Sequence, residues 1–142
     1  MTISAEKLIE MAKEAREKAY VPYSKFKVGA ALLTQEGKVF TGCNVENASF
    51  GLTCCAERTA IFKAVSEGNR EFVALAVIAD VPTLCSPCGA CRQVMAEFAG
   101  DMKVHMANLH GQYKTITVSE LLPGYFTAED MEAQGTGSGV QP

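Results

Sequence analysis

The sequence predicts a single α/β domain: a layered sandwich in which helices pack on a central mixed sheet of five strands. Three observations lead there. The chain alternates helix-period and strand-period segments in the order α-β-β-α-β-α-β-β. Val28 to Leu33 is apolar without interruption, as a strand buried on both faces must be. The 142 residues are enough for one core and too few for two.

Each element has its own signal. Ser4 caps a helix running to about Tyr20, with Leu8, Met11, Ala12, Ala15 and Ala19 on one stripe. Pro22 cannot continue that helix and disfavours helix at the residue before it. Val28 to Leu33 is followed by a hairpin turn, Gln35 to Lys38, and a return strand, Val39 to Asn44. After a polar loop from Asn47 to Thr53, a second helix takes Thr53 as its N-cap. It buries Ala56, Ala60, Ile61, Ala64 and Val65 and stops at Gly68. Phe72 to Ala79 is the third strand. Ser86, followed by Pro87, opens a third helix to about Ala99, with Val94, Met95 and Phe98 inward. Lys103 to Leu109 and Tyr113 to Val118 are strands around a His110-Gly111 turn, and Ser119 to Leu122 is one helical turn closed by Pro123-Gly124. Tyr20, Phe62, Phe72 and Phe98 are expected in the core. Residues 1–126 are expected to form the domain, and residues 127–142 a flexible tail.

Composition narrows the function classes. Hydrophobic residues are 48% and charged residues 20%, which excludes disorder as the main state. Thirteen basic against sixteen acidic residues leave a net charge of −3, with no basic cluster of the kind counterion release on nucleic acid requires. No apolar run approaches the roughly 20 residues of a membrane span, and Met1 to Glu6 lacks the form of a secretion signal. The expectation is a cytoplasmic protein with neither a nucleic-acid nor a membrane partner.

Six cysteines need a use: Cys43, Cys54, Cys55, Cys85, Cys88 and Cys91. In a reducing compartment, metal ligation or catalysis is a better reading than disulfides. Cys55-Ala56-Glu57 opens one helix and Pro87-Cys88-Gly89-Ala90-Cys91 the other. If neighbouring strands bring both helix starts to one side, three thiolates meet where unpaired N–H groups and the positive dipole end lower thiol pKa. Three protein ligands leave a fourth tetrahedral position open, which marks a catalytic zinc rather than a structural one. Glu57, in the first turn, is placed as a proton shuttle. A closed four-cysteine zinc using Cys54 or Cys85 is the main alternative, and it leaves Glu57 without a role. An iron–sulfur run lacks its fourth cysteine, and a redox Cys-x-x-Cys leaves Cys55 and Glu57 as coincidence. Cys43, Cys54 and Cys85 read as packed or spectator thiols. His105 and His110 are not expected to be ligands. Arg58, three residues after Cys55 on the same face, is read as a hydrogen-bond donor to the sulfurs, against the plainer reading of a solvated charge. Arg92 is a weaker candidate.

A Cys-x-Glu followed by Pro-Cys-x-x-Cys is a zinc deaminase signature, and the likeness extends well beyond it. Gly42 to Ala48, Cys55 to Ala60, Ser86 to Gln93, Leu121 to Phe126 and the early Pro22 to Phe26 together resemble the cytidine deaminase family, over roughly residues 5–126. With cysteine as first ligand and one short domain, the chain is similar to the small homotetrameric branch. Phe50 stands where that family carries tyrosine. The resemblance implies a three-layer α/β/α sandwich with a central mixed five-stranded sheet, and one Zn²⁺ per chain on Cys55, Cys88 and Cys91. It implies hydrolytic deamination of cytidine and deoxycytidine to uridine and deoxyuridine in pyrimidine salvage. In the mechanism the resemblance implies, zinc-bound hydroxide would attack C4 and Glu57 would move the protons. It also implies base-edge contacts from the Ala56 N–H and the Ser86 carbonyl. By the same resemblance Asn44 and Glu46 would hold the ribose hydroxyls with Phe26 alongside, and Phe126 would stack on the base in a neighbouring subunit. A capped strand end is the plainer reading of Asn44 and Glu46, and a terminal core aromatic that of Phe126. The same zinc chemistry also serves nucleic-acid base editors and a deaminase of an aminonucleoside antibiotic. The acidic balance argues against the first, and Asn44-x-Glu46 with Phe126 argues for a free nucleoside.

Overall fold

A computed structural model describes residues 3–135. The elements are α1 (Ala5–Arg16), β1 (Val28–Thr34), β2 (Val39–Cys43), a 3₁₀ turn (Phe50–Leu52), α2 (Ala56–Ser66), β3 (Phe72–Ala79), α3 (Gly89–Phe98), β4 (Lys103–Asn108), β5 (Tyr113–Thr117), α4 (Val118–Leu121) and α5 (Ala128–Gly135). The five strands form one sheet in the order β2-β1-β3-β4-β5, with β3 and β4 parallel and the other neighbours antiparallel. It is the mixed sheet expected from the element order.

Side chains alternate across a strand, so each inner strand supplies both faces. Ala31, Leu33, Ala74, Ala76, Ile78 and Ala107 meet Leu8 and Ala12 of α1 on one face. On the other face Ala30, Leu32, Leu75, Val77 and Val104 meet Ala56, Ala60, Ile61 and Ala64 of α2 and Cys91 and Met95 of α3. The result is three layers, with α1 alone on one side.

The pairing also explains why two helices start in the same place. β2 and β3 both run antiparallel to β1, so they run in the same direction with β1 between them. Their C-terminal ends, Cys43 and Ala79, therefore lie at the same end of the sheet, paired with Gly29 and Val28. The chain leaves each end through a loop and enters α2 or α3 there.

The helix starts differ in detail from expectation. Ser4 does cap α1, its hydroxyl accepting the Lys7 N–H at 3.1 Å. α1 ends at Arg16, a turn before Tyr20. Cys55, not Thr53, is the N-cap of α2, and Cys88, not Ser86, is that of α3; neither makes a side-chain cap hydrogen bond. Phe72 and Phe98 pack together with ring centroids 5.7 Å apart, but Tyr20 and Phe62 are about half exposed and belong to no core. Residues 128–135, expected to be part of a flexible tail, form α5; residues 136–142 lie outside the described residues.

Close approach of α2 to β2 requires glycine at position 42. A Cβ there would lie 2.6 Å from both the Ala56 oxygen and the Ala60 nitrogen, backbone atoms that cannot move without the whole helix. We expect Gly42→Ala to lower unfolding free energy by about 2 kcal/mol, as overpacking does, read from urea denaturation. A midpoint equal to that of the parent would show that α2 tolerates the shift.

Candidate metal centre

Cys55 and Cys88, as N-cap residues, hold extended backbone just outside their helices, and Cys91 lies on the first turn of α3. Their sulfurs lie within 4.8 Å of one another. Cys55 Sγ is 3.8 Å from Cys88 Sγ, and Cys88 Sγ is 3.4 Å from Cys91 Sγ. Sulfurs about 2.3 Å from a common tetrahedral centre sit about 3.8 Å apart, so the cluster fits a zinc ion with three thiolate donors. Among the described residues it is the one group of three or more such donors close enough to share an ion. Exposure grades across the set: Cys91 is buried, Cys55 half-buried and Cys88 exposed.

Arg58 faces the same sulfurs. Its Nη2 donates to Cys55 Sγ at 3.4 Å and to the Thr53 carbonyl at 3.5 Å. Its buried Nε has no hydrogen-bond partner among the described residues. Hydrogen bonding from the Cys91 thiol, with help from Arg58 and Cys88, pulls the Cys55 thiol down to about 5. The Cys91 thiol moves the other way, raised by its hydrogen bond to Cys55 and by burial. Of these two thiols, Cys55 is thus the more readily ionised, as expected of a thiol at a helix N-terminus beside an arginine.

Glu57 occupies the second position of α2 and is only 4% exposed. Burial raises its carboxyl to about 7; its own backbone N–H works against that, and the Cys55 charge adds to it. A carboxyl with that affinity both takes and gives a proton near neutrality.

The other predicted residues approach this centre from the strand end after β2. Val45 pairs with Cys54 through two backbone hydrogen bonds of 2.9 Å, which sets Asn44 and Glu46 on either side of a residue paired next to Cys55. Both side chains hold the loop that carries Phe26. Asn44 Nδ2 donates to the Phe26 carbonyl at 2.8 Å, and Asn44 Oδ1 accepts from the Val28 N–H at 2.9 Å. Glu46 accepts from the Tyr23 and Ser24 N–H groups at 3.0 and 3.1 Å and closely from the Ser24 hydroxyl, whose hydrogen bond leads in lowering its pKa. These bonds hold Lys25 at φ 62°, a conformation non-glycine residues rarely adopt. Sequence reasoning missed Ser24 as the partner of Glu46, although it lies within the quoted Pro22 to Phe26 segment.

Ala56, fully buried, is the first residue of α2, where helix N–H groups lack intrahelical partners. Ser86 is exposed; its hydroxyl accepts from Arg92. Phe126 is 52% exposed. All three nitrogens of the Arg92 guanidinium are bonded to oxygens of Pro87, Ser86 and Leu121, away from the sulfurs. Cys54 accepts from the Thr59 hydroxyl at 3.7 Å, and burial raises the Cys85 thiol to about 12. Cys43 lines a cavity of about 280 Å³ between α1, β2 and α2. His105 is buried against Thr115, 2.7 Å from its hydroxyl, and His110 lies 3.8 Å from Asp80.

Three thiols and a buried glutamate at two converging helix ends, on a mixed sheet, define a zinc-dependent hydrolytic deaminase. Comparison with known proteins agrees. Residues 2–108 match the family described as the cytidine and deoxycytidylate deaminase zinc-binding region. A cytidine deaminase of Halalkalibacterium halodurans is 65% identical over 125 residues, 87% of this chain and 95% of that one. One of Sporosarcina psychrophila is 58% identical over 130 residues, 91% and 96% of the two chains. The crystal structure of cytidine deaminase from Burkholderia pseudomallei superposes with a TM-score of 0.86 at 54% identity, covering 87% of this chain and all of that one. The chain belongs to the cytidine and deoxycytidylate deaminase family.

The ligand set is testable by metal content. Cys54→Ala and Cys85→Ala should each keep about one zinc per chain, whereas Cys91→Ala should remove most of it, measured by mass spectrometry of dialysed protein. Zinc lost from Cys54→Ala or Cys85→Ala would point instead to a closed four-cysteine site.

Proposed function

We propose that this protein deaminates cytidine and deoxycytidine to uridine and deoxyuridine, releasing ammonia, in pyrimidine salvage. The observation that carries the reading is the cluster of three sulfurs within 4.8 Å of one another with Glu57 buried beside it. Cys55, Cys88 and Cys91 hold one zinc ion per chain. Zinc, when bound, supplies a Lewis acid that brings the pKa of a water ligand towards 7 and leaves a fourth position for it.

This chain's own residues do the rest. Glu57 takes a proton from the attacking water and places it on N3 of cytosine while oxygen adds to C4. It then takes the proton of the new C4 hydroxyl and passes it to the departing amino group as the C4–N bond breaks, so water and cytidine become uridine and ammonia. One carboxyl serves as base and then acid, a role for which a pKa near the working pH is suited. Arg58 donates to the Cys55 sulfur and offsets the net negative charge of three thiolates around a divalent ion. The Ala56 N–H and the Ser86 carbonyl read the base edge. Asn44 and Glu46 hold the ribose hydroxyls with Phe26 alongside; ribose binding at Glu46 competes with Ser24 for the same carboxylate.

The pocket is completed by other copies of the chain. Phe50, Leu52 and Phe126 are 79%, 70% and 52% exposed, apolar surface more useful in an interface than in water. In this reading the protein is a homotetramer and Phe126 stacks on the base in a neighbour's site. No helix among the described residues is long and apolar enough to cross a membrane. Six free cysteines suit the reducing cytoplasm.

Incubation with cytidine, following absorbance and ammonia together, tests the activity. Glu57→Gln should retain zinc and lose turnover by about 10³-fold or more. Cytidine 5′-monophosphate should be a far poorer substrate than cytidine, because Glu46 repels an added phosphate. A Glu57→Gln enzyme with a tenth of parental turnover, or equal kcat/KM for nucleoside and nucleotide, would contradict this assignment.

A further inference from the structure

We infer that Arg92 is a positioning residue that, with Gln93, straps the segment ending at Phe126 onto the helix carrying Cys91; its consequence for binding rests on the reading of Phe126 as a substrate contact. Arg92 follows Cys91 directly on the first turn of α3 and is half-buried. Each guanidinium nitrogen has a different acceptor. Nε donates to the Pro87 carbonyl at 2.9 Å and Nη2 to the Ser86 hydroxyl at 2.8 Å, both on the loop entering Cys88. Nη1 donates to the carbonyl of Leu121, the last residue of α4, at 2.7 Å. One position on, Gln93 Nε2 donates to the Phe126 carbonyl at 3.0 Å.

The acceptors explain why arginine stands here. The last carbonyls of a helix have no intrahelical partner, and α4 is only four residues long. Its front is closed by its own capping box, Thr117 with Glu120. Its rear has no such device: Leu122 leaves it at φ −140° and ψ 74°, and Arg92 supplies the missing donor. From Leu121 the chain reaches Phe126 through Pro123, which fixes φ, and Gly124 at φ 67°, which permits the reversal. Little slack separates the two anchors, Leu121 on Arg92 and Phe126 on Gln93. The planar fork satisfies the Pro87 loop and the end of α4 at once; lysine keeps the charge but cannot span three diverging acceptors. No nitrogen of Arg92 is bonded to a sulfur, so its task differs from that of Arg58.

The test uses zinc-loaded full-length Arg92→Lys, Gln93→Ala, Phe126→Ala and the Arg92→Lys/Phe126→Ala double variant. Two readouts are followed: amide hydrogen exchange by mass spectrometry, and the KM and kcat for cytidine. Arg92→Lys should keep one zinc per chain and speed exchange across 121–126 at least tenfold, with α1 unchanged. It should raise KM about fivefold while kcat stays within twofold. Gln93→Ala should show the same pattern more weakly. In the Phe126→Ala background, Arg92→Lys should raise KM less than it does alone, since the part that acts through Phe126 is lost and only the part that acts through the Ser86-Pro87 loop remains. Unchanged exchange across 121–126, loss of zinc, an unchanged KM, or a KM rise that adds in full to that of Phe126→Ala would each overturn the inference. Failure of the deaminase reading would show separately, as no ammonia from the parent enzyme, and the exchange measurement would still decide whether Arg92 holds the strap.

Discussion

Three sulfurs held 3.4 to 3.8 Å apart along the cluster are an electrostatic problem before they are a binding site. Two unit charges at about 4 Å repel by about 4 kcal/mol at an effective dielectric of about 20, so three thiolates cannot coexist there without positive charge. The neighbouring thiols respond in opposite directions: that of Cys55 is pulled down and that of Cys91 pushed up. The surroundings supply positive potential from two helix N-termini and from Arg58. A divalent cation with thiolate affinity would complete the balance, and the cluster fits one.

The fold builds that cluster through strand direction. β2 and β3 end on one side of the sheet, so α2 and α3 must begin near each other. Gly42 lets α2 lie close enough to β2 for Ala56, Ala60 and Ala64 to be fully buried on the sheet, and Glu57 at the start of the same helix is buried with them. Burial of Glu57 is therefore a consequence of helix packing, and its raised pKa a consequence of burial. On the opposite face α1 packs Leu8 and Ala12 against the sheet. Asn44 and Glu46 link the two regions: the strand end beside Cys54 also holds the loop of Tyr23 to Phe26 in shape.

Much of this was legible in the sequence, for reasons that also explain what was not. Alternation and turn residues placed β3 at its observed limits and the other strands to within a residue. The convergence of Cys55, Cys88 and Cys91 was readable because a metal-site motif fixes residue type and spacing, and the contact of Arg58 with Cys55 because the two are three apart at a helix start. The N-caps were misplaced because Thr53 and Ser86 are the better capping residues on general grounds, whereas thiols occupy the caps here. Tyr20 and Phe62 were taken for core because an aromatic in a periodic run carries no label of which face it lies on; both are exposed. The tasks of Arg92 and Gln93 had no local signal, since their partners at 121 and 126 are some thirty residues away.

Zinc K-edge X-ray absorption on the purified protein distinguishes a zinc held by three thiolates, with its fourth position left for water, from a closed four-sulfur site. Three sulfur scatterers at about 2.3 Å and one oxygen at about 2.0 Å are expected. Four sulfurs at about 2.3 Å would contradict this, since a site closed by Cys54 or Cys85 leaves no position for the reacting water and no task for Glu57.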